Sequence, residues 1–142
     1  MDESIGILIG LAGVVIAYLT FKKQFYSKPD KELMHLKIQF SATQVLSLQI
    51  QQDISELIVA FPEISSCELF EGCTYATYLE FIKDAHAKNL SDQLLENLST
   101  LPLDKLMIQS MTTSIETQFT NLQAVQNFIN LTSQKLRNIT ND

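Results

Sequence analysis

Ile5–Phe21 reads IGILIGLAGVVIAYLTF, seventeen residues without a charge, and Lys22 and Lys23 follow at once. At about 1.5 Å of rise per residue this stretch makes a helix of roughly 26 Å, near the short limit for crossing a bilayer core. A cleaved secretory signal wants a basic start and small residues at its exit. The chain instead starts Met1-Asp2-Glu3-Ser4 and leaves the apolar run through Tyr18, Leu19, Thr20 and Phe21. The spacing therefore predicts a retained single-pass anchor. Lys22, Lys23 and Lys28 lie after the span and Asp2 and Glu3 before it. That bias sets an N-terminus outside and a C-terminal domain in the cytoplasm, at a cell (inner) membrane.

Three of the four glycines fall in this stretch. Gly6, Gly10, Gly13 and Ala17 are four, three and four residues apart, so they share one helix face. Such a strip lets a second backbone approach closely in lipid, and it predicts self-association of the anchor.

Outward from the anchor the chain divides into a short acidic N-terminus at 1–4, the transmembrane anchor at 5–21, a juxtamembrane linker at 22–29 and a bundle domain at 30–142. The net charge is −6, and no Lys or Arg lies between Lys37 and Lys83. An acidic surface repels phosphate backbones, which argues against nucleic acid as a partner. Beyond the anchor only Gly72, Pro29, Pro62 and Pro102 break the chain, a scarcity that favours helices.

Ser27-Lys28-Pro29-Asp30 reads as a helix start, and no breaker follows until Pro62. Leu33, Leu36, Phe40, Ile50, Ile54, Leu57 and Phe61 keep a three–four repeat, with Thr43 and Ser47 at its weak turns. Ile38, Val45, Leu46 and Ile58 are read as widening the same face. Ser65-Ser66-Cys67-Glu68 has capping-box spacing and predicts a second helix running to about Asn89, with Gly72 in an early turn. Ser91 caps a short third helix, Asp92–Thr100, and Pro102 opens the last. In that last segment Ile108, Met111, Ile115, Leu122, Val125, Ile129, Leu136 and Ile139 form a seam that Gln118 and Thr132 interrupt. Between Lys105 and Lys135 only Glu116 is charged. A two-stranded coiled coil sets its partner with charges beside the seam, so packing inside a bundle, or against another copy, is expected instead. Short connections favour antiparallel neighbours. The fold class is all-α: one N-terminal transmembrane helix, then an irregular cytoplasmic four-helix bundle with two long helices.

No catalytic constellation emerges. Glu32-Leu-Met-His35 has the Glu-x-x-His spacing of di-iron bundles, but His86 lacks the matching Glu three residues earlier, where Lys83 stands. Cys67, Cys73, His35 and His86 fit no zinc module. Cys67 and Cys73, six apart on a predicted helix, point about 120° away from each other and do not bridge; free thiols suit a reducing cytoplasm. Four Asn acceptor patterns, at Asn89, Asn97, Asn130 and Asn138, matter only in a glycosylating lumen. The expectation is a non-enzymatic, cofactor-free and metal-free protein: a membrane-tethered scaffold or adaptor that binds itself or a cytoplasmic partner. The alternative is a small membrane-active effector whose anchor oligomerises under control of the helical domain.

Overall fold

A helix starting at Asp30 sets the frame of the computed structural model, which describes residues 30–141. Helix α1, Asp30–Ala60, opens with Asp30 and Glu32 at its positive dipole end. It stops before Pro62, because the residue preceding a proline avoids helical geometry. Leu36, Phe40, Thr43, Ser47, Ile50, Ile54 and Leu57 are all buried, so the two polar turns continue the apolar face rather than breaking it. A five-residue 3₁₀ turn, Pro62–Ser66, follows. Strands β1, Glu68–Phe70, and β2, Cys73–Thr74, then pair antiparallel with Glu68 opposite Thr74 and Phe70 opposite Cys73. Helix α2 is Tyr75–Asn89, α3 is Asp92–Thr100, and α4 is Lys105–Thr140.

The hairpin replaces the first two turns of the expected second helix. Ser65 and Ser66 donate to the carbonyls of Pro62 and Glu63, so both belong to the 3₁₀ turn, and the chain leaves Cys67 in extended geometry instead of entering a helix. Gly72 takes φ +77°, a conformation that a right-handed helix does not contain and that other L residues adopt at a cost of about 1–2 kcal/mol. The chain turns back there, burying Leu69 and Cys73. The cap of α2 is Thr74, whose Oγ1 accepts from the Thr77 N–H at 3.2 Å. Cys67 is exposed and Cys73 buried, both as free thiols.

The other caps follow ordinary rules. Ser91 Oγ accepts from the Leu94 N–H at 3.2 Å, as the sequence predicts. At α4 the cap is Asp104, whose carboxylate accepts from the Met107 N–H at 2.7 Å. Pro102 therefore sits in the extended link before that helix and not in its first turn.

The short connection leaves α1 and α2 antiparallel, with His86 beside Ser47 and Leu90 beside Gln44, whereas the two long helices run the same way. Glu32 lies 3.8 Å from Lys105, His35 lies 3.2 Å from Glu116, and Asp53, Leu57 and Phe61 share a groove with Ile129, Ser133 and Arg137. Helices α1 and α4 thus run parallel, and they form the most extensive interface among the described residues. The return path is α2, with His86 beside Ser47, followed by α3. Gln44 holds the break between them by donating to Leu90 O at 2.7 Å and Asp92 Oδ1 at 3.1 Å.

The described residues therefore make a helical bundle with two apolar clusters. One gathers Leu36, Phe40, Leu98, Leu103, Ile108 and Ile115. The other gathers Ile50, Ile54, Leu69, Tyr78, Ile82 and Ile129. The α4 seam is buried at Ile108, Met111, Ile115 and Ile129, half-buried at Leu122, Val125 and Leu136, and exposed at Ile139. It thins toward the C-terminus because α2 covers only the middle of α4. No helix of the described residues is long and apolar enough to cross a membrane, and Ile5–Phe21 lies outside those residues.

Burial separates two seam residues of similar chemistry. Ile115→Ala is expected to cost about 2–5 kcal/mol and Ile139→Ala less than about 0.5 kcal/mol, read as urea midpoints at constant slope. Equal effects would contradict the burial of the seam at Ile115 and its exposure at Ile139.

Candidate functional site

Two features of the bundle go beyond a plain apolar core. The first is a polar layer halfway along it. Thr43, Gln44 and Ser47 from α1, Asn89 from α2 and Gln118 from α4 are all buried, and His86 is half-buried among them. Thr43 turns its hydroxyl to its own helix, donating to Gln39 O at 2.7 Å. His86 Nδ1 lies 3.0 Å from Ser47 Oγ, and Gln51 donates to the same hydroxyl at 3.3 Å. Burial lowers the His86 pKa, and the nearby Asp92 carboxylate offsets part of that shift.

A cavity of about 30 Å³ opens at this level, lined by Ser47, Ile82, Ala85, His86, Gln118 and Leu122 among others. That space suffices for about two water molecules. Gln118 is 3% exposed, and neither its amide nitrogen nor its oxygen has a hydrogen-bond partner. An unmade pair of this kind costs about 1–3 kcal/mol per group. The residue that interrupts the α4 seam in the sequence is thus buried beside this cavity with no partner from the rest of the protein.

The second feature is the outer face of α1. Met34, Ile38, Val45, Leu48 and Val59 are exposed, Val45 at 67% and Val59 at 81%. Ile38 and Val45, read from sequence as broadening the buried face, point the opposite way. Adding Ser41, Gln52 and Ser55 gives a second, unbroken alternation of four and three along the helix. Its signal was present in the sequence, but an apolar residue near two registers is assigned to the stronger one. The exposed members only separate once the core is known.

Other residues singled out by sequence fall as follows. His35 pairs with Glu116 and Glu32 approaches Lys105, so the Glu-x-x-His pair faces α4 side chains rather than a shared centre. Among the described residues no three His, Cys, Asp or Glu side chains converge as metal ligands. His86 sits in the polar layer, away from His35. Gly6, Gly10, Gly13, Ala17, Lys22, Lys23 and Lys28 lie outside the described residues. Burial also raises the Cys73 thiol and Tyr78 phenol pKa values, which keeps both groups neutral. Compared with known proteins, the chain matches no family model, no curated protein and no solved structure.

Two measurements probe the polar layer. Gln118→Leu removes the unpartnered amide at similar volume and is expected to raise stability by about 1–2 kcal/mol in denaturant titration. A fall would show that the amide finds a partner in solution. For His86 the folded-state pKa is depressed, so below the unfolded value of about 6.5 the unfolded chain binds more protons. Stability associated with neutral His86 is present above that value and is lost as pH falls through the folded-state pKa. His86→Gln is expected to flatten the acid limb of stability against pH, and an unchanged limb would assign it to other groups.

Proposed function

We propose that this chain is a membrane-tethered helical scaffold or adaptor that mediates protein–protein interaction or self-association. The observation that carries the reading is the outer face of α1: five large apolar side chains exposed opposite the buried face of the same helix. A soluble monomer rarely exposes an ordered apolar stripe, and such stripes serve contacts with another surface. In this reading residues 5–21 anchor the chain, the Lys-rich flank at Lys22, Lys23 and Lys28 holds the bundle on the cytoplasmic side, and Gly6, Gly10, Gly13 and Ala17 form a packing face within the membrane. The bundle contributes a surface and no reaction.

The full chain is expected to stay with carbonate-washed membranes, and deleting residues 5–21 to release it. A thiol reagent that cannot cross membranes should leave a cysteine-bearing tag placed after Asp142 unlabelled in intact cells. It should label that tag after permeabilisation. Recovery of the full chain in the soluble fraction would end the tethered reading, and labelling of intact cells would reverse the orientation.

A further inference from the structure

We infer that the outer face of α1 is an interface with a second copy of this chain, formed by two α1 helices lying parallel and in register. The inference rests on the tethered-scaffold reading and specifies its partner. The exposed stripe alternates by four and three, the 3.5-residue period at which one helix stays against another. In heptad terms Ile38, Val45, Gln52 and Val59 form one layer set. Met34, Ser41, Leu48 and Ser55 form the other. Ile38, Val45 and Val59 are β-branched and Leu48 stands between them in the second set, the arrangement that favours two parallel strands at that level. Gln52 is the single polar residue in the β-branched set, and its amide donates to Glu56 on its own helix at 2.9 Å. Ser41 and Ser55 are small enough for the backbones to close.

Charge selects the same partner. From Ile38 to Gln52 fifteen consecutive residues carry no charge, on a chain of net charge −6. The flanking positions that would face each other across a parallel pair are Lys37 with Ala42 and Gln51 with Glu56, while Gln44, at the flank between them, is buried in the bundle and leaves Gln49 without a charged neighbour. None of these sets like charges together. This stripe is therefore a place where two acidic copies meet without repulsion, and it offers a strongly charged partner nothing to complement.

Area sets the regime. Met34–Val59 spans about 38 Å of helix, and a stripe roughly 10 Å wide gives about 400 Å² per copy. A standard stable interface buries about 800 Å² per partner. The pair is accordingly weak between free molecules and forms where a membrane confines the copies with their α1 N-termini side by side, which raises their effective concentration. The same confinement excludes the antiparallel pairing.

The test uses the full chain reconstituted in phospholipid vesicles, with Cys67→Ser to remove the exposed thiol. Ile38→Cys, Val59→Cys and, as an exposed position off the stripe, Glu96→Cys are introduced singly and oxidised mildly. Ile38→Cys and Val59→Cys are each expected to give disulfide-linked dimer at least fivefold above Glu96→Cys. Leu48→Glu, at an exposed position that leaves the helical content unchanged, is expected to reduce both to the Glu96→Cys level. Crosslinking of Ile38→Cys only when mixed with Val59→Cys would overturn the inference in favour of an antiparallel pair. Retention of the chain on carbonate-washed vesicles without dimer above the Glu96→Cys level overturns the pairing alone. Loss of the chain from those vesicles overturns both the pairing and the tether on which it rests.

Discussion

Everything in this bundle follows from two long helices packing side by side in the same direction. A parallel pair cannot be closed by a short loop, because the chain leaves α1 at the far end and must enter α4 at the near one. The hairpin, α2 and α3 are that return path. Helix α2 descends along α1 and α3 carries on past a break at Leu90, which Gln44 ties back to α1 through Leu90 O and Asp92. The short elements are thus consequences of the long ones. They exist to bring Asp104 back to the level of Glu32.

The polar layer sits where these three descents and ascents meet. On either side of it the core is aliphatic and aromatic, with Ile50 and Ile54 on one side and Leu36 and Ile108 on the other, all nearly inaccessible. Burial of that apolar surface supplies about 25 cal/mol per Å² and has little preference for register. Side chains such as Ser47, His86 and Gln44 do have a preference, because a hydrogen bond is lost or kept within a fraction of a helical turn. The Ser47–His86 contact fixes α2 on α1. Gln118 makes no hydrogen bond to another group of the protein, so α4 is held by apolar contact at that level.

Helix α1 is unusual in having apolar residues on two opposite faces. The inner set is consumed by the fold. The outer set contributes nothing to it, and a chain under ordinary pressure for solubility would place Lys and Glu there, as α2 does with Lys83, Asp84 and Lys88, all exposed. The proposed use of that face, contact with a second tethered copy, accounts for a surface that is both apolar and uncharged over fifteen residues.

The helical character of the described residues, the extents of α1 and α3, and the burial of Thr43 and Ser47 with their apolar neighbours were all legible in the sequence. Their signals are local: a period of three and four, a Ser cap, a proline stop. The hairpin was not, because Ser65–Glu68 satisfies a capping rule on paper while Gly72 needs a positive φ that only the folded turn reveals. Nor was the parallel order of α1 and α4, since a periodic seam says that a face is buried and not against which neighbour or in which direction. For the same reason Ile38 and Val45 were indistinguishable from core residues until the core had a position. The sequence by itself determined that the two long segments are helical and that each has a face to bury. Tertiary structure alone decided how wide that face is and which neighbour covers it, because burial is a property of two surfaces and a single helix supplies only one.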